Sequence, residues 1–280
     1  VFMAERAAEK SGGLVEIQVF PNGQLGSETD TTEQLQKGAL AMIKASTAPL
    51  ENFIPEMAIF SVPYLFRDEA HFWTVLDGEI GKGILVRGAE AGIRGLCYYD
   101  SGARSFYTTD RPVLTPGDLK GMKIRVMNSK TSMDMVGVLG GSPTPIPFGE
   151  LYSALQQGMV DGAENNPPSM YDTRHWEVAK HYSIDEHARI PDIILFSQKI
   201  WASLSPQVQQ WVQEAADESL EYQKQIWKDY VAECLANLQA EGVSIHYPDK
   251  SEFQRLAATM YSNFDGTVIE PLIKQIQAID

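Results

Sequence analysis

Between Val208 and Glu241 the chain contains neither proline nor glycine, and its apolar residues recur at helical spacing: Val208, Trp211, Val212, Ala215, Tyr222, Ile226, Tyr230, Cys234 and Leu238. Ser205 stands where such a helix would start and Gly242 where it would stop. At about 1.5 Å per residue the run would be roughly 55 Å long, more than a single small domain is wide. A chain of 280 residues is also longer than one compact core usually needs. A helix of that length can cross two domains. A kinked pair of shorter helices is the other reading, and spacing leaves both open.

Upstream, helix and strand patterns alternate. Residues 2–10 read as an amphipathic helix stopped by Ser11, Gly12 and Gly13, and residues 14–20 alternate like a strand before Pro21, Asn22 and Gly23 turn the chain. Residues 29–37 predict a helix ending at Gly38, with a short buried strand over 39–45 and further strands over 105–109 and 122–127. Such alternation marks an α/β layer architecture. Leu35-Gln36-Lys37-Gly38-Ala39-Leu40 is echoed by Leu155-Gln156-Gln157-Gly158-Met159-Val160, and the loops beyond, Ala45-Ser46-Thr47 and Asn165-Asn166-Pro167, correspond. The echo is either coincidence or the sign of two related α/β units whose strand ends face a common crevice, where open α/β sheets hold ligands.

Composition narrows the function. Lys+Arg 23 against Asp+Glu 37 gives a net charge of −14, a field that repels nucleic acid and anionic lipid while leaving room for a small anion held by local cations. Two distant cysteines, Cys97 and Cys234, are too few for a disulfide framework, zinc ribbon or iron–sulfur cluster. No apolar run approaches the ~18 residues of a membrane span. The first residue, Val1, already lies in a helical pattern, so upstream sequence is expected to have been removed.

No nucleophile elbow, phosphate loop, dinucleotide fingerprint or paired-histidine metal motif occurs, so no cofactor or metal is expected. Residues 137–141 are glycine-rich but read as a helix end and turn. His71 and His175, each followed by aromatics, fit packing better than ligation. His187, among the charges of Asp185-Glu186-His187-Ala188-Arg189, is either a satisfied loop residue or a ligand donor. Arg125 lies inside the strand pattern Lys123-Ile124-Arg125-Val126-Met127, and a guanidinium buried there must find an anionic or carbonyl partner. Its planar fork suits a carboxylate, from a ligand or from an internal ion pair.

Six segments resemble, in order, the solute-binding proteins of tripartite ATP-independent periplasmic (TRAP) transporters, of the dicarboxylate-binding type. They are Pro21-Asn22-Gly23-Gln24-Leu25-Gly26, Val62-Pro63-Tyr64-Leu65-Phe66, Asp118-Leu119-Lys120-Gly121-Met122-Lys123-Ile124-Arg125-Val126, Gly141-Ser142-Pro143-Thr144-Pro145, Glu150-Leu151-Tyr152-Ser153-Ala154-Leu155-Gln156 and Val160-Asp161-Gly162-Ala163-Glu164-Asn165. Each is weak alone; the set is specific. The resemblance implies a two-domain α/β periplasmic-binding-protein-like fold with a hinge cleft and a domain-spanning helix. Domain I would take residues 1–101 and about 191–230, and domain II 102–190 and about 231–280. The resemblance implies a signal peptide and a strand ahead of the helix at which this sequence opens. Arg125 falls on the family's carboxylate-clamping arginine and Asn165 on an asparagine directed at the same carboxylate. Arg104 resembles a second ligand-facing arginine, Phe148 a pocket aromatic and His187 a polar pocket position. Glu28 and Ser46 lie where the other domain contributes.

The resulting expectation is a periplasmic receptor of a Gram-negative bacterium, a monomer without enzymatic activity, that hands an organic acid to TRAP membrane permease subunits. Glu28, Ser46, Arg104, Asn166 and His187 offer more polar groups than a short apolar acid can satisfy, which favours a hexuronate. Glu164-Asn165-Asn166-Pro167-Pro168-Ser169 with Asp185-Glu186-His187 also resembles a sugar-acid-binding branch. A C4-dicarboxylate gripped by Arg104 is the runner-up. A receptor of another importer class, and an enzyme using His187 with Glu28 or Glu164, are the rivals from outside.

Overall fold

The structure, a computed structural model, describes residues 1–279. Its strands, in chain order, are β1 (Met42–Ser46), β2 (Ile93–Tyr99), β3 (Arg104–Thr108), β4 (Lys123–Val126), β5 (Ser142–Pro145), β6 (Gly162–Asn165), β7 (His181–Ala188), β8 (Asp192–Ser197) and β9 (Ser244–His246). The smaller sheet has the order β1-β8-β2, antiparallel throughout. The larger has the order β5-β4-β6-β3-β7-β9; β4 runs parallel to β5 and β6, and β3 antiparallel to both its neighbours. The chain passes between the sheets at residues 100–103, from β2 to β3, and at 189–191, from β7 to β8.

The long helix is continuous from Pro206 to Ala240, 35 residues, or about 52 Å. Ser205 caps it by accepting the Val208 N–H, and Pro206 sits in the first turn, where a missing N–H costs nothing. Its first half lies on β2 and the helix Phe2–Ser11, where Val212, Ala215 and Ala216 are buried with Met3, Ala7 and Leu96. Its second half lies on the helix Pro167–Asp172, and Leu238 is buried with Leu151, Leu155 and Tyr182 of the larger sheet's layer. One helix therefore packs on both layers. The long reading of the sequence run holds, and the kinked pair does not.

The sequence echo is structural. Gly38 and Gly158 adopt left-handed φ of 76° and 67°, which only a residue without Cβ adopts freely. Gly38 N–H bonds to Leu35 O and Ala39 N–H to Gln34 O; Gly158 N–H bonds to Leu155 O and Met159 N–H to Ala154 O. The strands launched from these caps, β1 and β6, end at Ser46 and Asn165, each followed by a short helix.

Two expectations need correction. Residues 14–20 form no strand, because no described strand lies alongside to complete a ladder; Val15 and Ile17 pack toward Met3's cluster while Leu14, Val19 and Phe20 stay exposed. The strand expected over 39–45 starts only at Met42, after the glycine cap has turned the chain. The C-terminal stretch touches both layers. The helix Ser251–Ala257 packs on the helix Lys130–Val138 and on β7, whereas Ile269–Gln277 packs on the 3-10 helix Pro55–Ser61, with Ile276 O 3.1 Å from His71 Nε2.

Close strand approach makes Gly162 intolerant of a side chain. A Cβ there would lie 2.5 Å from Tyr107 O, whereas at helical Gly137 it would meet nothing within 4 Å. Gly162→Ala should destabilise by about 1–3 kcal/mol, and Gly137→Ala should stabilise by about 0.5–1 kcal/mol. Urea unfolding of the two variants checks the pair.

Candidate ligand-binding site

Arg125 projects from β4, in register with Thr144 of β5 and Ala163 of β6. It is 2% exposed. Its Nε donates to Ile146 O at 2.8 Å, and its buried Nη1 has no partner among the described residues. Burial lowers its pKa, as expected for a cation held away from both water and a bonded carboxylate. The Phe148 ring lies 5.6 Å from the guanidinium carbon, and His175 meets that ring edge-on. His175 Nδ1 is 2.9 Å from the Tyr107 hydroxyl, and burial together with the charge of Arg125 lowers its pKa to about 4. The histidine is therefore a neutral wall beside the cation. An unpartnered buried guanidinium costs several kcal/mol unless an anion completes it.

Asn165, at the end of β6, is fixed in orientation. Its Oδ1 accepts from Arg104 Nη1 and from the Asn166 N–H, both at 2.9 Å, which leaves its NH2 as the free donor. From the smaller sheet's side, Glu28 Oε1 accepts the Ser46 N–H at 2.7 Å. Burial raises the Glu28 pKa against that bond, and the carboxylate lies within electrostatic reach of both Lys44 and Arg125. Lys44 is itself paired with Asp192 at 2.6 Å. The Ser46 hydroxyl makes no capping bond to the short helix Thr47–Leu50 that follows it. The structure thus brings Arg125 of β4, with Phe148 from the 3-10 helix after β5 against it, within electrostatic reach of Glu28, which opens the helix before β1 and holds the Ser46 N–H.

Three expected contacts are arranged differently. Arg104 is not free: Nε and Nη2 grip Glu164 at 2.5 and 2.9 Å, and Nη2 also donates to Glu164 O. Asn166 is consumed structurally, its Oδ1 capping the helix Pro167–Asp172 and its Nδ2 donating to Ser101 O and Oγ. His187 is fully buried behind the cleft with both nitrogens committed, Nδ1 2.9 Å from Asp185 and Nε2 3.4 Å from Glu164. A bulge in β7 aims these groups inward: a five-residue step, from Ser183 to Ala188, lies opposite the two-residue step from Arg104 to Phe106 on β3. Tyr64 reaches in from the other side, its N–H bonding His187 O and its hydroxyl Asp185. Asp185 and Tyr64 lie in segments that resemble the family, but residue type gives neither a role of its own. The two-residue spacing of Asp185 and His187, which places both on one strand face, was the available signal.

The network shifts its own titrations. Burial alone would raise the Glu164 carboxyl, but Arg104 and His187 outweigh it and hold it at about 2. Burial alone would lower His187, but Asp185 and then Glu164 raise it to about 9. Among the described residues, no group of three or more His, Cys, Asp or Glu could hold a metal ion.

Two α/β layers meeting at a cleft that holds a buried, incompletely paired guanidinium define a carboxylate-binding receptor of the periplasmic-binding-protein class. The chain belongs to the bacterial extracellular solute-binding protein family 7, whose profile matches residues 1–267, the family of TRAP solute-binding proteins. It is 36% identical over 277 residues to a solute-binding protein of Chromohalobacter salexigens, covering 98% of this chain and 82% of that one. Among solved structures, a TRAP periplasmic solute-binding protein from Bradyrhizobium, in complex with α/β-D-galacturonate, superposes with a TM-score of 0.97 at 44% identity, covering 99% of this chain and 93% of that one. One from Roseobacter denitrificans, with bound β-D-glucuronate, does so with a TM-score of 0.96 at 42% identity, with the same coverage. The expected fold and family are borne out.

Arg125→Lys should leave folding intact and weaken anion binding about 10- to 150-fold, the range spanned by roughly 1.5–3 kcal/mol for a charged hydrogen bond. Calorimetry measures it, and an unchanged affinity would make Arg125 structural. For His187 the folded pKa is above the unfolded value. Its contribution is complete below pH about 6.5 and is lost as the pH rises through about 9. Thermal unfolding between pH 6 and 10 should therefore show a decline that His187→Gln flattens.

Proposed function

We propose that this chain is the extracytoplasmic receptor of a TRAP transporter, that it captures a hexuronate (glucuronate or galacturonate) between two closing domains, and that it delivers the sugar acid to the membrane permease. The observation that carries this reading is Arg125, buried at the cleft with Nη1 unpartnered. The ligand carboxylate completes its fork, and the NH2 of Asn165 donates to the same group. Phe148, 37% exposed, offers a ring for the apolar face of a sugar. Glu28 and the Ser46 hydroxyl supply an acceptor and a donor for ring hydroxyls.

We assign the smaller sheet with residues 1–101 and about 191–230 to domain I, and the larger with 102–190 and the chain from about 231 to domain II. The helix Ile269–Gln277, packed on the 3-10 helix Pro55–Ser61, goes with domain I. Closure buries the anion where water no longer screens Arg125. The receptor works on the outer side of the cytoplasmic membrane, in the periplasm, as a monomer, and changes no bond in its ligand.

The charge arrangement disfavours the dicarboxylate alternative. A second carboxylate would need a second free cation, and the Arg104 guanidinium is already spent on Glu164. On the facing side it would meet the Glu28 carboxylate, a like charge that costs affinity in a closed site. The bound uronates of the Bradyrhizobium and Roseobacter structures point the same way. Competition calorimetry with glucuronate, galacturonate, succinate and malate tests the assignment. Saturable heat with a uronate and none with the C4 acids is expected; tight succinate or malate binding with no uronate heat would overturn it.

A further inference from the structure

Where the chain leaves β2 for β3, two side-chain amides hold its backbone. Gln223, from the middle of the long helix, places Oε1 on the N–H of Asp100 and Nε2 on its C=O, each at 2.8 Å. A neighbouring strand would pair with one residue in the same way; here a side chain does it. One step on, Asn166 Nδ2 donates to Ser101 O at 2.8 Å, and Asp100 Oδ1 accepts the Gly102 N–H at 2.7 Å. Gly102 is left-handed at φ 64°, and a Cβ there would lie 3.4 Å from the Trp227 indole nitrogen. The crossing is therefore gripped from the long helix on one side and from the larger sheet on the other.

We propose that Gln223 is the positioning residue of the hinge, holding the β2–β3 crossing in the torsional setting of the closed cleft and thereby setting how long the ligand stays bound. This rests on the domain-closing receptor reading above. The N–H and C=O of Asp100 change direction as the backbone at residues 100–102 rotates. One planar amide can satisfy both groups in a single setting only. In the setting seen here the two layers are joined directly: Asn52 Nδ2 donates to Asn128 O at 2.8 Å, and Glu51 Oε1 accepts the Thr131 N–H at 3.1 Å. Glutamine alone has the reach together with a donor and an acceptor; glutamate would set a second acceptor against the Asp100 carbonyl.

The test uses the full chain with Gln223→Ala and Gln223→Glu. Stopped-flow mixing with glucuronate and galacturonate should show dissociation faster by about 5- to 30-fold in both variants, the range set by two hydrogen bonds of ordinary net worth, and association within about twofold of wild type. Unchanged dissociation in a folded variant, or a lower melting temperature with unchanged dissociation, would overturn the proposal. Should Gln223→Ala fail to fold, Gln223→Met keeps the stem and removes both polar atoms. The hinge can also be read without ligand. Hydrogen exchange should find the Asp100 amide protected in wild type and unprotected in Gln223→Ala, whose radius of gyration should rise; identical exchange and scattering would overturn the hinge role. Wild-type protein that binds neither uronate would instead tell against the ligand assignment, and the ligand-free measurements would still decide the hinge.

Discussion

A guanidinium with no carboxylate bonded to it, buried between two sheets, is the constraint around which this molecule is arranged. Arg125 keeps its charge at a cost that the protein offsets only in part, through one carbonyl, one aromatic face and a histidine held neutral. Complete internal pairing would make the site stable and useless, since an incoming anion would have to displace a bonded partner. Incomplete pairing leaves a directed demand for a carboxylate at one point in the cleft.

Behind that point the charges are closed off among themselves. Arg104 and His187 stand against Glu164 and Asp185, two cations with two carboxylates, all buried. The set does not discharge Arg125. Its work is mechanical: Arg104 fixes the oxygen of Asn165 so that the amide's donor side stays free, and Tyr64 ties the network to the opposite layer. Such a network is rigid because each member is satisfied, and removing any one leaves a buried charge or donor exposed to the others.

The long helix gives the two layers a common element and the crossing strands a fixed neighbour. Its side chains meet β2 in the first half and the helix after β6 in the second, with Gln223 between them at the crossing. A motion that opens the cleft has to be absorbed at residues 100–102, at 189–191, along this helix and in the C-terminal stretch between Ala257 and Ile269, because the layers on either side are packed cores that do not deform continuously.

Local chemistry made much of this legible in the amino-acid sequence. A run without proline or glycine is free to stay helical, a glycine three residues past the last apolar turn stops a helix, and an arginine inside a strand pattern has to be answered by an anion or a carbonyl. The paired helix–glycine–strand units and the demand of Arg125 for a partner follow from such rules, whereas Asn165 and Phe148 come only from the resemblance of their segments to the family. What only the tertiary structure decided is which polar groups spend themselves on one another. Arg104 and His187 stand as ligand contacts by resemblance to the family and Asn166 by its polar type, yet Glu164, Ser101 and Asp185 take up their hydrogen bonds. The alternation of residues 14–20 promised a strand that its surroundings do not pair. Periodicity and residue type are properties of a segment, whereas satisfaction of a buried donor depends on what the fold brings within about 3 Å of it, often from sixty residues away.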